Sequence, residues 1–328
     1  MATGWSSQIC RSNMKRFILL FAILLPTLCG AQGVEGLVDI LWNKTDYREI
    51  TAERKEAMTK MQRYVDIFTD TQFVEYYRCS EGSEKEAALE GWGILQFYNM
   101  ALEKLLREIP ATKVDEDEIV VWQLYNMGYV IKTAEQCFGV DIHHKHAHRI
   151  APLIDFLCIT HNHSDHQWKP LTEEMVRQGK AVYSNFLNNG YKLAGGEQIK
   201  IGNIEIENWL GDHNAATPKF VTNYQISCLS AEGKPFTFLF TGDSYSHEQM
   251  NPTRAVDVFV PHLAVGLNMD KAVEKLNPKV VLMSHILELA HHINKWRWSY
   301  AFGINECKKL KREGVYLPVW GEKITLKR

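Results

Sequence analysis

Apolar residues recur at helical spacing across residues 51–109. Thr51 is a residue type that often caps a helix N-terminus, and Ser83 with Glu86 forms a capping-box pattern before a second apolar run. Pro110 is expected to end that second helix. The pattern predicts a helical hairpin with a packing or lid role, because no catalytic pattern accompanies it. Its apolar positions are Met58, Met61, Val65, Phe68, Leu89, Trp92, Leu95 and Leu102.

From about residue 114 the pattern changes to short runs rich in β-branched and aromatic residues, which is typical of strands. Helical spacing returns at 172–178 and 269–276, and residues 126–128 predict a turn between the first two strands. The chain thus divides into a helical segment, 32–113, and a strand-rich domain, 114–328. The predicted strands are 119–123, 129–133, 154–159, 181–184, 204–209, 224–229, 237–240, 256–260 and 280–283.

Residues 1–31 have the layout of a secretory signal peptide. Two basic residues precede an apolar run, 17–28, that is too short for a comfortable transmembrane helix, and small residues lead up to Ala31. Cleavage after Ala31 predicts a secreted or periplasmic protein, with Met14 as the candidate true start. An uncleaved anchor, a buried helix and a lipoprotein site at Cys29 are the alternatives.

The composition is that of a globular protein with a substantial core, since 45% of the 328 residues are hydrophobic. The formal net charge of -2 gives no reason to expect nucleic acid as a partner. The seven cysteines are too widely spaced for a CxxC metal knuckle or a dense disulfide framework. Cys158 and Cys228 lie in apolar runs and are expected to be small core residues.

Three histidines and one aspartate lie within six residues, directly after the predicted strand 154–159. They are His161, His163, Asp165 and His166. A loop at a strand end can aim several side chains at one point, and neutral imidazole together with carboxylate suits zinc or iron. The segment therefore favours a metal site over the alternative of a polar surface loop.

The HxHxDH pattern of that loop is the hallmark of the metallo-β-lactamase superfamily, which this sequence resembles. The resemblance implies an α/β fold, a four-layer αβ/βα sandwich over 114–328 preceded by the helical segment. It also implies further ligands downstream at strand ends, and His213, Asp243 and His285 each follow a predicted strand. Two divalent metal ions are implied, zinc before manganese or iron. One ion would be held by His161, His163 and His213, the other by Asp165, His166 and His285, with Asp243 bridging.

Such a centre implies a hydrolase. Two cations about 3.5–4 Å apart can share a water and lower its pKa towards about 7, which yields a hydroxide nucleophile. The resemblance suggests that Asp165 also orients that nucleophile or accepts its proton. The expected substrate is a small ester, lactone or phosphodiester. A diiron oxygen-handling protein and a non-catalytic, metal-stabilised binding protein are the alternatives, and the oligomeric state stays open.

A narrower resemblance rests on residues 257–262, 268–272 and 277–285. This pattern looks like the branch that contains ascorbate-6-phosphate lactonase, but that branch usually has a small or aliphatic residue where this chain has His262. True β-lactamases are less similar, because they usually carry a cysteine where Asp243 stands. The substrate of the lactonase branch is therefore not implied.

Other histidines near predicted strand ends are candidates for catalytic roles. His262 follows strand 256–260, and we expect it beside the metals, donating or accepting a proton during catalysis. His247 lies four residues after Asp243 and is a candidate general acid or hydrogen-bond donor. The residues of a dense run, His143, His144, His146 and His148, predict a solvated loop, with a separate metal site or substrate contact as alternatives. His291 and His292, with Trp296 and Trp298, are expected to pack or to line a pocket.

Amino-terminal sequencing of the secreted protein tests the predicted signal peptide. We expect the mature chain to begin at Gln32, because the small residues before it suit a signal peptidase. A mature protein that begins at Met1 or Met14 would contradict the prediction.

Overall fold

Two β-sheets face each other in the computed structural model, which describes residues 33–293 and 295–328; the predicted signal peptide lies outside the described residues. The mixed α/β sandwich is confirmed, and helices cover it, including those of the amino-terminal segment. The strands are β1 (Glu118–Gln123), β2 (Tyr129–Lys132), β3 (Cys137–Val140), β4 (Phe156–Cys158), β5 (Ala181–Tyr183), β6 (Gln198–Ile201), β7 (Ile204–Gly211), β8 (Val221–Leu229), β9 (Pro235–Phe240), β10 (Val258–Val260), β11 (Val280–Leu282), β12 (Val315–Tyr316) and β13 (Lys323–Lys327).

The first sheet has six strands in the order β13-β1-β2-β3-β4-β5, and the second has seven in the order β12-β11-β10-β9-β8-β7-β6. Side chains alternate between two cores along these strands, as the pleat of a strand requires. Ile119 and Val121 of β1 join a core built from both sheets. Val120 and Trp122 of the same strand join the core shared with the helices.

The amino-terminal segment has more helices than the predicted hairpin, which was wrong in this respect. Thr69 begins an additional helix with a capping box, and Ser83 caps the next one. Gly93 begins the next helix and lies so close to the ring of Tyr64 that a Cβ atom at Gly93 would be 2.3 Å from that ring. This helix ends at Ala111, one residue beyond Pro110, where the sequence predicted its end. The helices are α1 (Val34–Asp39), which continues as a π-helical turn (Ile40–Lys44), α2 (Ala52–Asp66), α3 (Asp70–Arg78), α4 (Glu84–Glu90), α5 (Gly93–Ala111), α6 (Lys169–Arg177), α7 (Met269–Leu276) and α8 (Tyr300–Lys309).

Strand direction brings the loops of the predicted site to one edge. Strands β9, β10 and β11 are parallel, and β7 runs in the same direction because β8 is antiparallel to both β7 and β9. The carboxyl ends of these four strands therefore open on the same side. The loops that follow them carry His213, Asp243, His262 and His285. Among the described residues, no helix is long and apolar enough to cross a membrane.

A buried ion pair joins the helical segment to the first sheet. Arg54 on α2 lies 2.6 Å from Glu322, which precedes β13, and both side chains are at most 5% exposed. Arg54 also donates to the carbonyl of Leu41, and Glu322 accepts from the amide of Val319. Burial raises the pKa of Glu322 although Arg54 opposes the shift, so the carboxylate depends on its partner.

We expect Arg54→Ala to lower the free energy of unfolding by about 3–5 kcal/mol, because it leaves the Glu322 carboxylate buried and uncompensated. Urea unfolding followed by circular dichroism measures the change. Arg63→Ala, which removes an exposed arginine from the same helix, is the matched control and should change little. Equal stabilities of the two variants would contradict the prediction.

Candidate metal centre

Seven side chains from both sheets converge at the edge where the strand ends open, as two groups of potential metal-ligand atoms. Within each group the ligand atoms lie within 4.8 Å of one another. The first group is His161, His163, His213 and Asp243, and the second is Asp165, His166 and His285. These are the seven residues that the sequence analysis named as ligands.

The first group joins the loop after β4 to loops of the second sheet. His161 Nε2 lies 3.0 Å from His163 Nδ1, and His213 Nε2 lies 3.3 Å from Asp243 Oδ2. His161 is fully buried, whereas His163 and His213 are partly exposed. The group is therefore open on one side, as a site that admits a substrate requires.

The second group is buried throughout. Asp165 Oδ2 lies 3.0 Å from His285 Nε2 and 3.6 Å from His166 Nε2. His285 adopts φ +64°, an uncommon value for a residue other than glycine, three residues after the end of β11.

The carboxylate of Asp243 lies between the two groups. Its Oδ2 faces His213 and His161, the latter at 3.8 Å, and its Oδ1 lies 3.1 Å from His166 Nε2. Asp243 can approach this closely because Gly242 precedes it at φ +45°, where a Cβ atom would be 2.5 Å from the hydroxyl of Thr160. Each carboxylate oxygen of Asp243 thus faces a different group of ligand atoms.

The donor set fits divalent cations that take nitrogen and oxygen ligands. His166 Nε2 and Asp243 Oδ1 are buried, and neither has a hydrogen-bond partner among the described residues. The two atoms lie 3.1 Å apart, the distance of an ion pair when His166 carries a proton on both ring nitrogens. A cation between them would satisfy both atoms, which are costly to bury unpaired.

Electrostatics in the site keep the aspartates charged. Burial works to raise the pKa of Asp243, but the charge of His166 outweighs it and holds the pKa well below its usual range. Burial works to lower the pKa of His166, and the carboxylates of Asp243, Asp165 and Asp141 raise it well above its usual value. Burial, together with the neighbouring His166, lowers the pKa of His161 well below the usual histidine value. The group thus presents a carboxylate and a neutral imidazole, the protonation states in which both can bind a metal.

His166 is oriented by a carboxylate that the sequence analysis missed. Asp141 lies directly after β3, and its Oδ2 accepts from His166 Nδ1 at 2.9 Å and from the Thr160 hydroxyl at 2.7 Å. Its Oδ1 accepts from the Thr160 amide. A proton fixed on Nδ1 leaves Nε2 free for a metal. The only sequence signal was an aspartate at a strand end shortly before the histidine run, with no ligand pattern around it.

His262 lies beside the centre, as its strand end predicted. Its ring stacks on His285 with 3.9 Å between centroids, and it is 5% exposed. The amide of Ala264 donates to His262 Nδ1 at 2.9 Å. In a neutral ring the proton then sits on Nε2, which makes that nitrogen a hydrogen-bond donor. A ligand atom of His262 also lies within 4.8 Å of ligand atoms of Asp243 and His285.

His247 has a different setting. Its Nδ1 lies 3.2 Å from Glu248, whose side chain is 70% exposed, and its carbonyl accepts from Lys275. It does not belong to either of the two ligand groups. Its proposed role as a general acid therefore stays a prediction.

The histidine run after β3 is not a solvated loop, so that prediction was wrong. His143 and His144 are buried, and His144 stacks on Tyr98 of α5 with 3.8 Å between ring centroids. His146 lies 3.3 Å from Glu86 of α4. The helical segment covers this run, which the periodicity of either region alone could not reveal.

His291 and Trp296 form part of a wall near His285. The ring of His291 lies 5.9 Å from that of His285 and 5.8 Å from that of Trp296, centroid to centroid. Trp296 is 63% exposed, and Trp298 instead stacks on Phe302 of α8.

The chain belongs to the β-lactamase superfamily: the model of the family described as "Beta-lactamase superfamily domain" matches residues 122–285, which are 164 of the 328 residues. Family and fold together class it as a hydrolase of the metallo-β-lactamase fold. The narrower likeness to the ascorbate-6-phosphate lactonase branch stays a prediction. A search of curated proteins finds no match.

Solved structures of low sequence identity are similar to this chain. A metallo hydrolase from the archaeon Ignicoccus hospitalis is similar at a TM-score of 0.50 and 16% identity, over 64% of this chain and 99% of that one. An isothiocyanate hydrolase from Delia radicum gut bacteria gives 0.48 and 13%, over 64% and 100%. A diiron beta-hydroxylase from Streptomyces venezuelae gives 0.46 and 16%, over 66% of this chain and 55% of that one.

Proposed function

We propose that this protein is a hydrolase of a small ester, lactone or phosphodiester that works with two divalent metal ions, zinc in the first place. The observation that carries the proposal is the position of Asp243, whose two carboxylate oxygens face different groups of buried ligand atoms. Manganese and iron are the alternatives, since imidazole and carboxylate suit all three metals.

His161, His163 and His213 would hold one ion and Asp165, His166 and His285 the other, with Asp243 shared. Ions bound there would act as Lewis acids towards the substrate and lower the pKa of a shared water. The partly exposed edges of His163 and His213 leave room for the substrate on the first side.

The remaining residues would orient the ligands and the attacking water, or donate hydrogen bonds to the substrate. Asp141 keeps the Nδ1 proton on His166, so that its Nε2 faces Asp243. His262 directs an Nε2–H donor from beside His285, where it can hydrogen-bond a substrate oxygen or a leaving group. Asp165, 3.0 Å from His285, is placed to orient the attacking water or to accept its proton.

Metal analysis of the purified protein, paired with a screen of generic esters, lactones and phosphodiesters, tests the proposal. We expect about two transition-metal ions per chain and loss of hydrolysis on chelation, restored by Zn²⁺ or Mn²⁺. A chain that binds no metal after reconstitution would overturn the assignment. Activity that appears only with iron and consumes oxygen would favour the oxygen-handling alternative.

We expect Asp243→Ala to abolish hydrolysis and to weaken the binding of both ions. The loss should exceed the roughly 10–100-fold that removal of an outer-shell partner costs, because one shared carboxylate offsets the repulsion between two cations. Equilibrium dialysis with Zn²⁺ measures both affinities.

Asp270→Ala is the matched control for this variant, because Asp270 is an exposed aspartate in the first turn of α7. The control should retain wild-type metal content. Two ions bound at wild-type affinity in Asp243→Ala would show that the carboxylate is not shared.

We expect His262→Ala to lower turnover by about 10²–10³-fold while both ions stay bound, since the loss of one aligned donor has this effect in other enzymes. Steady-state kinetics on the substrate found in the screen, with metal analysis of the same sample, separates the two effects. His148→Ala, at a partly exposed histidine of the run after β3, is the control. Unchanged turnover, or loss of an ion from His262→Ala, would contradict the donor role.

A further inference from the structure

The turn between β1 and β2 contains a buried asparagine in an unusual conformation. The predicted turn at 126–128 is confirmed, with Leu124 donating to the Gly128 carbonyl and Gly128 to the Tyr125 carbonyl. Asn126 lies within it at φ +52° and is fully buried. Asparagine tolerates this left-handed region better than most residues, and glycine tolerates it fully.

The side chain of Asn126 reaches into the second group of ligand atoms. Its Nδ2 donates to Asp165 Oδ2 at 3.0 Å and approaches the Asp165 carbonyl at 3.4 Å. The backbone carbonyl of Asn126 accepts from the His285 amide at 3.5 Å. One residue therefore contacts two of the three members of this group.

These two members come from different sheets. Asp165 lies in the loop after β4 of the first sheet, and His285 follows β11 of the second. Asn126 Oδ1 is buried and has no hydrogen-bond partner among the described residues, so the amide has a cost that a smaller apolar residue would avoid. The Nδ2 group is the part of the side chain that makes a hydrogen bond to Asp165. Because this group is neutral, it does not compete with a cation for the carboxylate.

The turn is itself held firmly. The Tyr125 hydroxyl donates to Glu288 at 2.8 Å and accepts from the Leu289 amide at 2.7 Å. The ring of Tyr125 packs edge-on against Tyr98 of α5, with centroids 5.1 Å apart. Asn126 is thus attached to a fixed support on the side away from the ligands.

We propose that Asn126 is a positioning residue that fixes Asp165 against His285 and so sets the affinity for the ion held by Asp165, His166 and His285. The inference rests on the proposed dimetal function. It assigns no ligand role to Asn126. It predicts unequal effects on the two ions, because the hydrogen bonds of Asn126 to the candidate ligands go to Asp165 and His285, which both belong to the second group.

The test is Asn126→Gly, which removes the amide and keeps a residue suited to φ +52°. Asn277→Gly is the matched control. Asn277 also has a positive φ, +43°, but it is exposed at the end of α7. Apo protein is titrated with Co²⁺, whose visible absorption reports ligand geometry, and the unfolding midpoint of each apo variant is measured.

We expect wild type and Asn277→Gly to bind two Co²⁺ ions with the same spectra. Asn126→Gly should bind one ion as wild type does and the other about 10–100-fold more weakly, with an altered spectrum for that ion. Two ions at wild-type affinity in Asn126→Gly would overturn the inference. So would equal weakening of both ions with a lowered apo midpoint, which would indicate a structural role. Absence of Co²⁺ binding by wild type would instead refute the proposed function.

Discussion

The carboxylate of Asp243 is buried between imidazoles from loops of both sheets. The burial of this charge is the constraint on which the rest of the site depends. Desolvation penalises a buried carboxylate, and the site offers it no conventional hydrogen bond at Oδ1. A cation on each side would turn this cost into favourable coordination. The two groups therefore depend on each other through one residue, and neither is a complete site when considered apart from Asp243.

The fold meets this constraint by placing every contributing loop at a strand end. Parallel directions of β7, β9, β10 and β11 bring four loops to one edge, while the loop after β4 supplies the rest from the opposing sheet. Residues outside the two groups of candidate ligand atoms adjust their geometry. Gly242 permits close approach of Asp243 to Thr160, Asp141 fixes the tautomer of His166, and Ala264 fixes that of His262.

Local sequence patterns could indicate the seven candidate ligands because each of them follows a strand that an apolar run predicts. The same patterns could not predict features that depend on contact between distant segments. The polar character of His143 and His144 predicts a solvated loop, but Tyr98 of α5 covers His144 and Tyr77 of α3 lies against His143. Asp141 follows the short strand β3. All four residues of that strand are buried, so it shows no alternation of apolar and polar residues. Gly93, at the break between α4 and α5, lies against the ring of Tyr64, a contact that periodicity does not record.

The helical segment and the catalytic edge are parts of one packed structure. Apolar residues of α1 to α5 and of the sandwich belong to the same hydrophobic core, and Arg54 on α2 is paired with Glu322 beside β13. Tyr98 of α5 packs on Tyr125, and Tyr125 precedes Asn126, which contacts Asp165. Interiors packed at this density transmit small displacements from one side chain to the next. The position of α5 thus bears on the geometry of the second ligand group through two contacts, Tyr98 with Tyr125 and Asn126 with Asp165, which the peptide bond between Tyr125 and Asn126 joins.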